Sequence, residues 1–251
     1  MATATTRLYK FYSKYLLAIA ALMAVIPLPV QAVTLVKTPE AIKANDQIDW
    51  SVIGPVFKPL PNSFLAKSQG GLGLSVNIPK SNDLLISSPF VFQTKSTEIK
   101  TNFAEGDYLL FAGFNPRQGF PADGNPGPLT INFDQPVFAA GTQLAVDDTF
   151  TFDTFISAFD QSNNLLGSFS LPGTSSLILD NSAVFLGISS DKANISQLVF
   201  STSVPNRALA INKLSIVAVP EPSLTLATLA VGLSINVLRQ QRRQQQLFSL
   251  R

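Results

Sequence analysis

Short apolar runs that alternate residue by residue, each closed by a cluster of Gly, Pro, Asn, Asp or Ser, recur through the middle of this 251-residue chain. Leu72, Leu74, Val76 and Ile78 share one phase, and so do Leu129, Ile131 and Phe133. Side chains on a strand point alternately to opposite sides, so one apolar phase at a period of two predicts a half-buried strand. Phe150 and Phe152 share one phase whereas Phe155 and Phe159 share the other. A one-residue slip swaps the faces, so this shift predicts a bulge or bend near Asp153-Thr154. Leu165, Gly167, Phe169 and Leu171 alternate again, and Ala183 to Ile188 is apolar on both faces, as a central buried strand requires. Runs around Phe111, Ile131, Leu144, Phe155, Leu166, Phe185, Val199 and Ile211 follow one another, spaced about 10 to 20 residues apart with turn signals between most of them. The pattern predicts an all-β fold, an antiparallel two-sheet β-sandwich or jelly roll.

One stretch breaks the rhythm. Residues 115–128 (NPRQGFPADGNPGP) contain four prolines, which exclude a ladder strand and predict a surface loop. A loop of that length is where a binding function tends to sit. Within it Asp123-Gly124-Asn125 reads either as a type I or II turn or as a ligand contact. Tyr108 and Phe114 flank the loop and either line a groove or belong to the core. Trp50, the one tryptophan, is either a stacking platform for a sugar ring or a packing residue.

Cysteine and histidine are both absent. That removes a thiol nucleophile, a Ser-His-Asp triad, an imidazole base and a zinc site of the usual kind, and leaves carboxylate chemistry or calcium. Asp147 and Asp148 together with Asp153 offer oxygen ligands for calcium, but no EF-hand spacing accompanies them. The alternative is a polar turn between strands ending at Val146 and starting at Phe150. An acid-catalysed glycosidase needs two convergent carboxylates, and no motif nominates a pair.

The two ends of the chain differ from its middle. Arg7, Lys10 and Lys14 precede an apolar run from Tyr15 to Val30, and Val30-Gln31-Ala32 suits cleavage after Ala32. Residues 1–32 therefore read as a cleavable signal peptide, the alternative being an uncleaved anchor, which Pro27 and Pro29 disfavour. At the other end Pro220-Glu221-Pro222 is followed by an apolar run to Leu238 and by Arg239, Arg242 and Arg243. Between the two, residues 33–219 carry 11 basic and 15 acidic side chains, a net charge near −4, although the whole chain is +2. A nucleic-acid partner requires a clustered positive surface, so that class is excluded.

A Pro-Glu-Pro turn, a membrane-length apolar run and a terminal arginine cluster, in that order, resemble the PEP-CTERM sorting signal of exported Gram-negative and cyanobacterial proteins. Asp49-Trp50-Ser51-Val52-Ile53-Gly54-Pro55, the segment from Pro128 to Val137 and the block from Phe155 to Ser223 are similar to the rest of such chains. The resemblance implies processing by signal peptidase and by exosortase, a membrane-embedded protease-transpeptidase. It divides the chain into the signal (1–32), an exported β-sandwich domain (33–219), a sorting segment with a transmembrane helix (220–243) and a cytoplasmic tail (244–251). One departure stands out: relatives commonly carry an aspartate in the last strand where this chain has Asn212. The expected product is a non-catalytic protein of the cell envelope, cell surface or extracellular matrix. The alternative is a carbohydrate-binding module for exopolysaccharide, with calcium as its only conceivable cofactor.

Overall fold

The computed structural model describes residues 33–96 and 101–220, so Ala32, Glu221, Pro222, Arg239, Arg242 and Arg243, with both expected terminal helices, lie outside the described residues. Among the described residues no helix is long and apolar enough to cross a membrane. The strands are β1 (Val33–Val36), β2 (Asp46–Ile48), β3 (Ser63–Lys67), β4 (Gly73–Asn77), β5 (Phe90–Gln93), β6 (Tyr108–Phe111) and β7 (Leu129–Val137). They continue with β8 (Ala139–Val146), β9 (Thr151–Phe159), β10 (Leu165–Thr174), β11 (Val184–Ser190), β12 (Ile195–Thr202), β13 (Leu209–Ile211) and β14 (Leu214–Val217). Each of the eight apolar runs picked out by spacing lies in one of them.

The strands form two antiparallel sheets. One runs β10-β9-β12-β7-β4-β3; the other runs β1-β11-β8-β13-β6-β5, with β14 paired to both β8 and β2. Leu74, Val76, Ile131, Ile156 and Leu198 from the first sheet share one buried cluster with Leu110, Leu144, Leu186, Ile188 and Ile211 from the second. Two sheets closing over a common apolar layer make the arrangement of a β-sandwich. The chain has no cysteine to staple it. Stability therefore rests on this burial, worth about 1.5–3 kcal/mol for each large apolar side chain.

Strand β8 is apolar on both faces and pairs β11 on one side and, end to end, β13 and β14 on the other. Leu144 faces Ile211 and Ala140 faces Ile216, so β13 and β14 are one strand interrupted at Asn212-Lys213. At that interruption the Asn212 carbonyl turns inward to accept the Trp50 indole N–H at 2.8 Å and the Thr142 hydroxyl at 2.7 Å. Trp50 thus lies in a 3-10 turn, Trp50–Ile53, capped by the Asp49 carboxylate on the Ser51 N–H. It is fully buried in the common core. Of the two readings of Trp50, the packing role holds and the sugar platform does not.

The expected bend near Asp153-Thr154 is also corrected. Strand β9 alternates without a break, with Phe152, Thr154, Ile156 and Ala158 inward and Phe155 outward at 36% exposure. Pairing on both sides, to β10 and β12, holds one phase along its length. The irregularity belongs to the neighbour, between Leu165 and Gly167 of β10. Phe152, Thr154, Ile156 and Ala158 fill the inner face of β9, so Phe155 and Phe159 were the misleading phase markers.

Phe200→Ala, which empties a fully buried position of the common core, is expected to cost about 3–5 kcal/mol. Phe155→Ala on the outer face is expected to cost about 1 kcal/mol or less. Urea unfolding midpoints separate the two; equal losses would return Phe155 to the core.

Candidate functional site

The outer face of the larger sheet carries an unusual row. Phe90 pairs with Phe111, Phe111 with Ala210, and Ala210 with Ala145, all on the side turned away from the common core. Two rings followed by two methyl groups make a step, and the step is the floor of a cleft of about 430 Å³. The rings pack edge to face or tilted, with centroids 5.3 Å apart for Phe90 and Phe111 and 5.4 Å for Phe92 and Phe111. Phe114 lies 5.8 Å from Phe90 and 5.9 Å from Phe111, within the range at which aromatic pairs attract. Phe57 and Phe120 border the cleft, 55% and 54% exposed. Strand β5 ends its sheet yet is buried along Phe90-Val91-Phe92, because the rings of its outer face are covered.

The proline-rich loop supplies one wall, through Gln118, Phe120 and Ala122. It is held far more tightly than a surface loop. The Asn115 N–H donates to the Asp123 carbonyl at 2.7 Å, and the Asn125 amide nitrogen reaches the Pro79 carbonyl at 2.8 Å. Two glycines permit the close approach. A Cβ on Gly124 would lie 2.4 Å from the Ala208 nitrogen, and Gly113, at φ +108°, passes 2.2 Å from the Ser87 carbonyl by the same measure.

The polar side of the cleft is built by the β8–β9 turn. Arg207 donates through Nε to Asp148 at 2.9 Å and through Nη1 to Asp123 at 2.9 Å, tying that turn to the loop. Asp123 also receives the Gln118 amide at 3.0 Å. Its carboxyl is held below the usual range, first by this hydrogen bond and also by Arg207. Asp147 faces the cleft without such a partner: among the described residues it makes no ion pair within 4 Å. Burial pushes its carboxyl up and the neighbouring Asp148 charge adds to this, opposed by the Ala122 N–H and by Arg207.

Of the residues singled out from sequence, Asp123, Asp147 and Asp148 gather around Arg207. Asp153 does not join them; it sits on the outer face of β9, its backbone bonded to Ser203. The described residues hold no group of three or more acidic side chains arranged to hold a metal ion. Tyr108 is half-buried against the common core and does not line the cleft. Phe114 does. Sequence reading missed Arg207, Gln118 and the rings at 57, 90, 92, 103 and 120. The signal for two of them was present in Phe90-Val91-Phe92, an edge run apolar in both phases.

Asn212 closes a second polar cluster. Its amide nitrogen donates to Asp107 Oδ2 at 2.7 Å and to Gln143 Oε1 at 3.0 Å. An aspartate here would set two carboxylates at hydrogen-bond distance with no proton donor between them. The amide closes the crossing without a cation. The Asp107 carboxyl is pushed up by burial, and hydrogen bonds from Ala104 and Asn212 oppose that shift.

No protein-family model matches this sequence, and no curated protein matches it. Among solved structures the chain is similar to a DUF4465 family protein from Bacteroides caccae, 9% identical over 74% of this chain and 100% of that one, with a TM-score of 0.35. It is similar also to a family 29 carbohydrate-binding module, 7% identical over 60% of this chain and 99% of that one, with a TM-score of 0.24. A third is CsCBM6-3 from Clostridium stercorarium, solved with cellobiose, 8% identical over 69% and 93% of the two chains, with a TM-score of 0.21. At those values the likenesses carry no argument about ligand or activity.

The folded protein binds the Asp147 proton more tightly than the unfolded chain does. The wild type therefore loses stability relative to Asp147→Asn as pH rises from the ordinary value of 3.8 through the raised native value. Above that interval the asparagine variant is expected to melt no lower than the wild type. Melting temperatures of both proteins from about pH 3 to pH 7 measure the difference; a difference that stays flat across the range contradicts the assignment.

Proposed function

We propose that this protein is exported, processed at both ends and displayed at the cell surface or in the extracellular matrix, with a non-catalytic β-sandwich as its working part. The observation that carries the reading is the Pro-Glu-Pro, apolar and arginine order of residues 220–243, paired with the signal-like residues 1–32. The fold supports it at the carboxyl-terminal junction. Strand β14 stays paired through Val217, and the Asn45 side chain clamps the Ala218 N–H at 2.8 Å. Val219 is already exposed, one residue before the Pro-Glu-Pro motif begins at Pro220.

The apolar run Ser223–Leu238 is 16 residues, about 24 Å as a helix and short of the roughly 30 Å hydrocarbon layer. Arg239, Arg242 and Arg243 then reach the cytoplasmic headgroups and fix an orientation with the folded domain outside.

Exopolysaccharide is the second reading for what the displayed surface meets. It is favoured by the exposed rings of Phe57 and Phe120 at the cleft, on which the apolar face of a pyranose has a surface to stack.

Intact mass of protein isolated from the cells that make it is expected to show a chain starting near Val33 and ending near Pro220–Pro222. Replacing Arg239, Arg242 and Arg243 together by glutamine is expected to leave the carboxyl-terminal segment uncut. A native species that retains residues through Arg251 would sink the sorting reading, and normal processing of the triple variant would remove the arginines from the signal.

A further inference from the structure

The cleft on the outer sheet face combines two properties that neither a core nor a general sugar surface needs. Seven phenylalanines line it, and among the described residues the charged side chains in its lining are Asp147 and Asp148. Asp148 is taken by Arg207, while Asp147 stands without an ion pair among the described residues. Asn102, wholly buried in the same lining, has its nitrogen on the Thr174 carbonyl at 2.7 Å and its side-chain oxygen without a donor among the described residues. Such groups in an apolar wall favour a partner that brings hydrogen-bond donors.

From this charge and lining we infer that the cleft binds an organic ammonium compound with an apolar or aromatic body, its cationic head against Asp147 and its body on the Phe90, Phe92 and Phe111 rings. Aromatic faces attract cations as well as apolar groups, and a half-buried carboxylate beside them supplies the counter-charge. An anion would meet two carboxylates in the lining. A neutral sugar could donate hydroxyls to the same acceptors but brings no positive charge to match the Asp147 carboxylate. The rim at Phe57 and Phe120 is where a sugar loses least, and the interior is where an ammonium gains most. The charged groups facing Asp147 are Asp148 from the same turn and Arg207 from the segment before β13, and Arg207 is held by Asp148 and Asp123.

The inference stands apart from the sorting proposal and fails or survives without it. The test uses the full chain in lipid nanodiscs, with empty nanodiscs as the blank, titrated calorimetrically near pH 7. Three probes share one body and differ in the head: 4-phenylbutylammonium, 4-phenylbutanol and 4-phenylbutyrate. The ammonium is expected to bind at least about tenfold more tightly than the other two. Asp147→Asn is expected to bring it down to the level of the alcohol while leaving the alcohol unchanged, which shows that the cleft still folds. Asp147→Glu is expected to retain the preference, and Ala210→Leu, which fills the floor, to weaken all three. Equal binding of the three heads, a preference that survives Asp147→Asn, or no heat above the blank would each overturn the proposal. So would a cello-oligosaccharide that binds and is lost in Ala210→Leu while the ammonium probe does not bind.

Discussion

Strand β8 has to be apolar on both sides and fully paired on both edges, and much of this protein follows from that requirement. A strand buried on both faces leaves no water for its backbone groups, so each edge must find a ladder. β11 supplies one edge, and the interrupted strand β13–β14 supplies the other. The inner face of β8 gives Ala140 and Leu144 to the core between the sheets. Its outer face gives Ala145 to the floor of the cleft. One strand therefore joins the stability of the domain to the shape of the cleft.

The interruption at Asn212-Lys213 is what lets one strand serve two stretches of β8. A break in a buried ladder exposes a carbonyl that must be satisfied, and Trp50 and Thr142 satisfy it. The side chain of Asn212 meets Asp107 and Gln143 in the same step. A neutral amide suits that position because it brings donors to two oxygen acceptors. The single tryptophan is thereby committed to closing the core, and its indole is withdrawn from any surface role.

The cleft depends on chain segments that are far apart in sequence. Strands β5, β6, β13 and β8 contribute the row of two rings and two methyl groups, the proline-rich loop gives a wall, and the β8–β9 turn gives the carboxylates. Arg207 binds that turn to the loop through Asp148 and Asp123, so among the described residues the acid of that turn without an ion pair is Asp147. Asp148 and Asp123 hold Arg207, whereas Asp147 lines the cleft beside the aromatic rings. Position, with no difference in residue type, separates the two.

The sequence by itself determined the class of fold, most of the longer strands and the motif order at the two termini. Period-two alternation and turn residues act locally, so a run such as Leu129–Phe133 declares itself without knowledge of its neighbours. The absence of cysteine and histidine likewise ruled out whole chemistries from composition alone. Only the tertiary structure decided which phase faced inward in β9, where pairing on two sides outweighed the placing of the phenylalanines. It also decided that Trp50 was core, that Asp153 stood apart from Asp147 and Asp148, and that Ala145 and Ala210 lay beside Phe111. Burial and charge pairing depend on cross-strand register between segments as distant as Asp123 and Arg207, and register is a property of the assembled sheets.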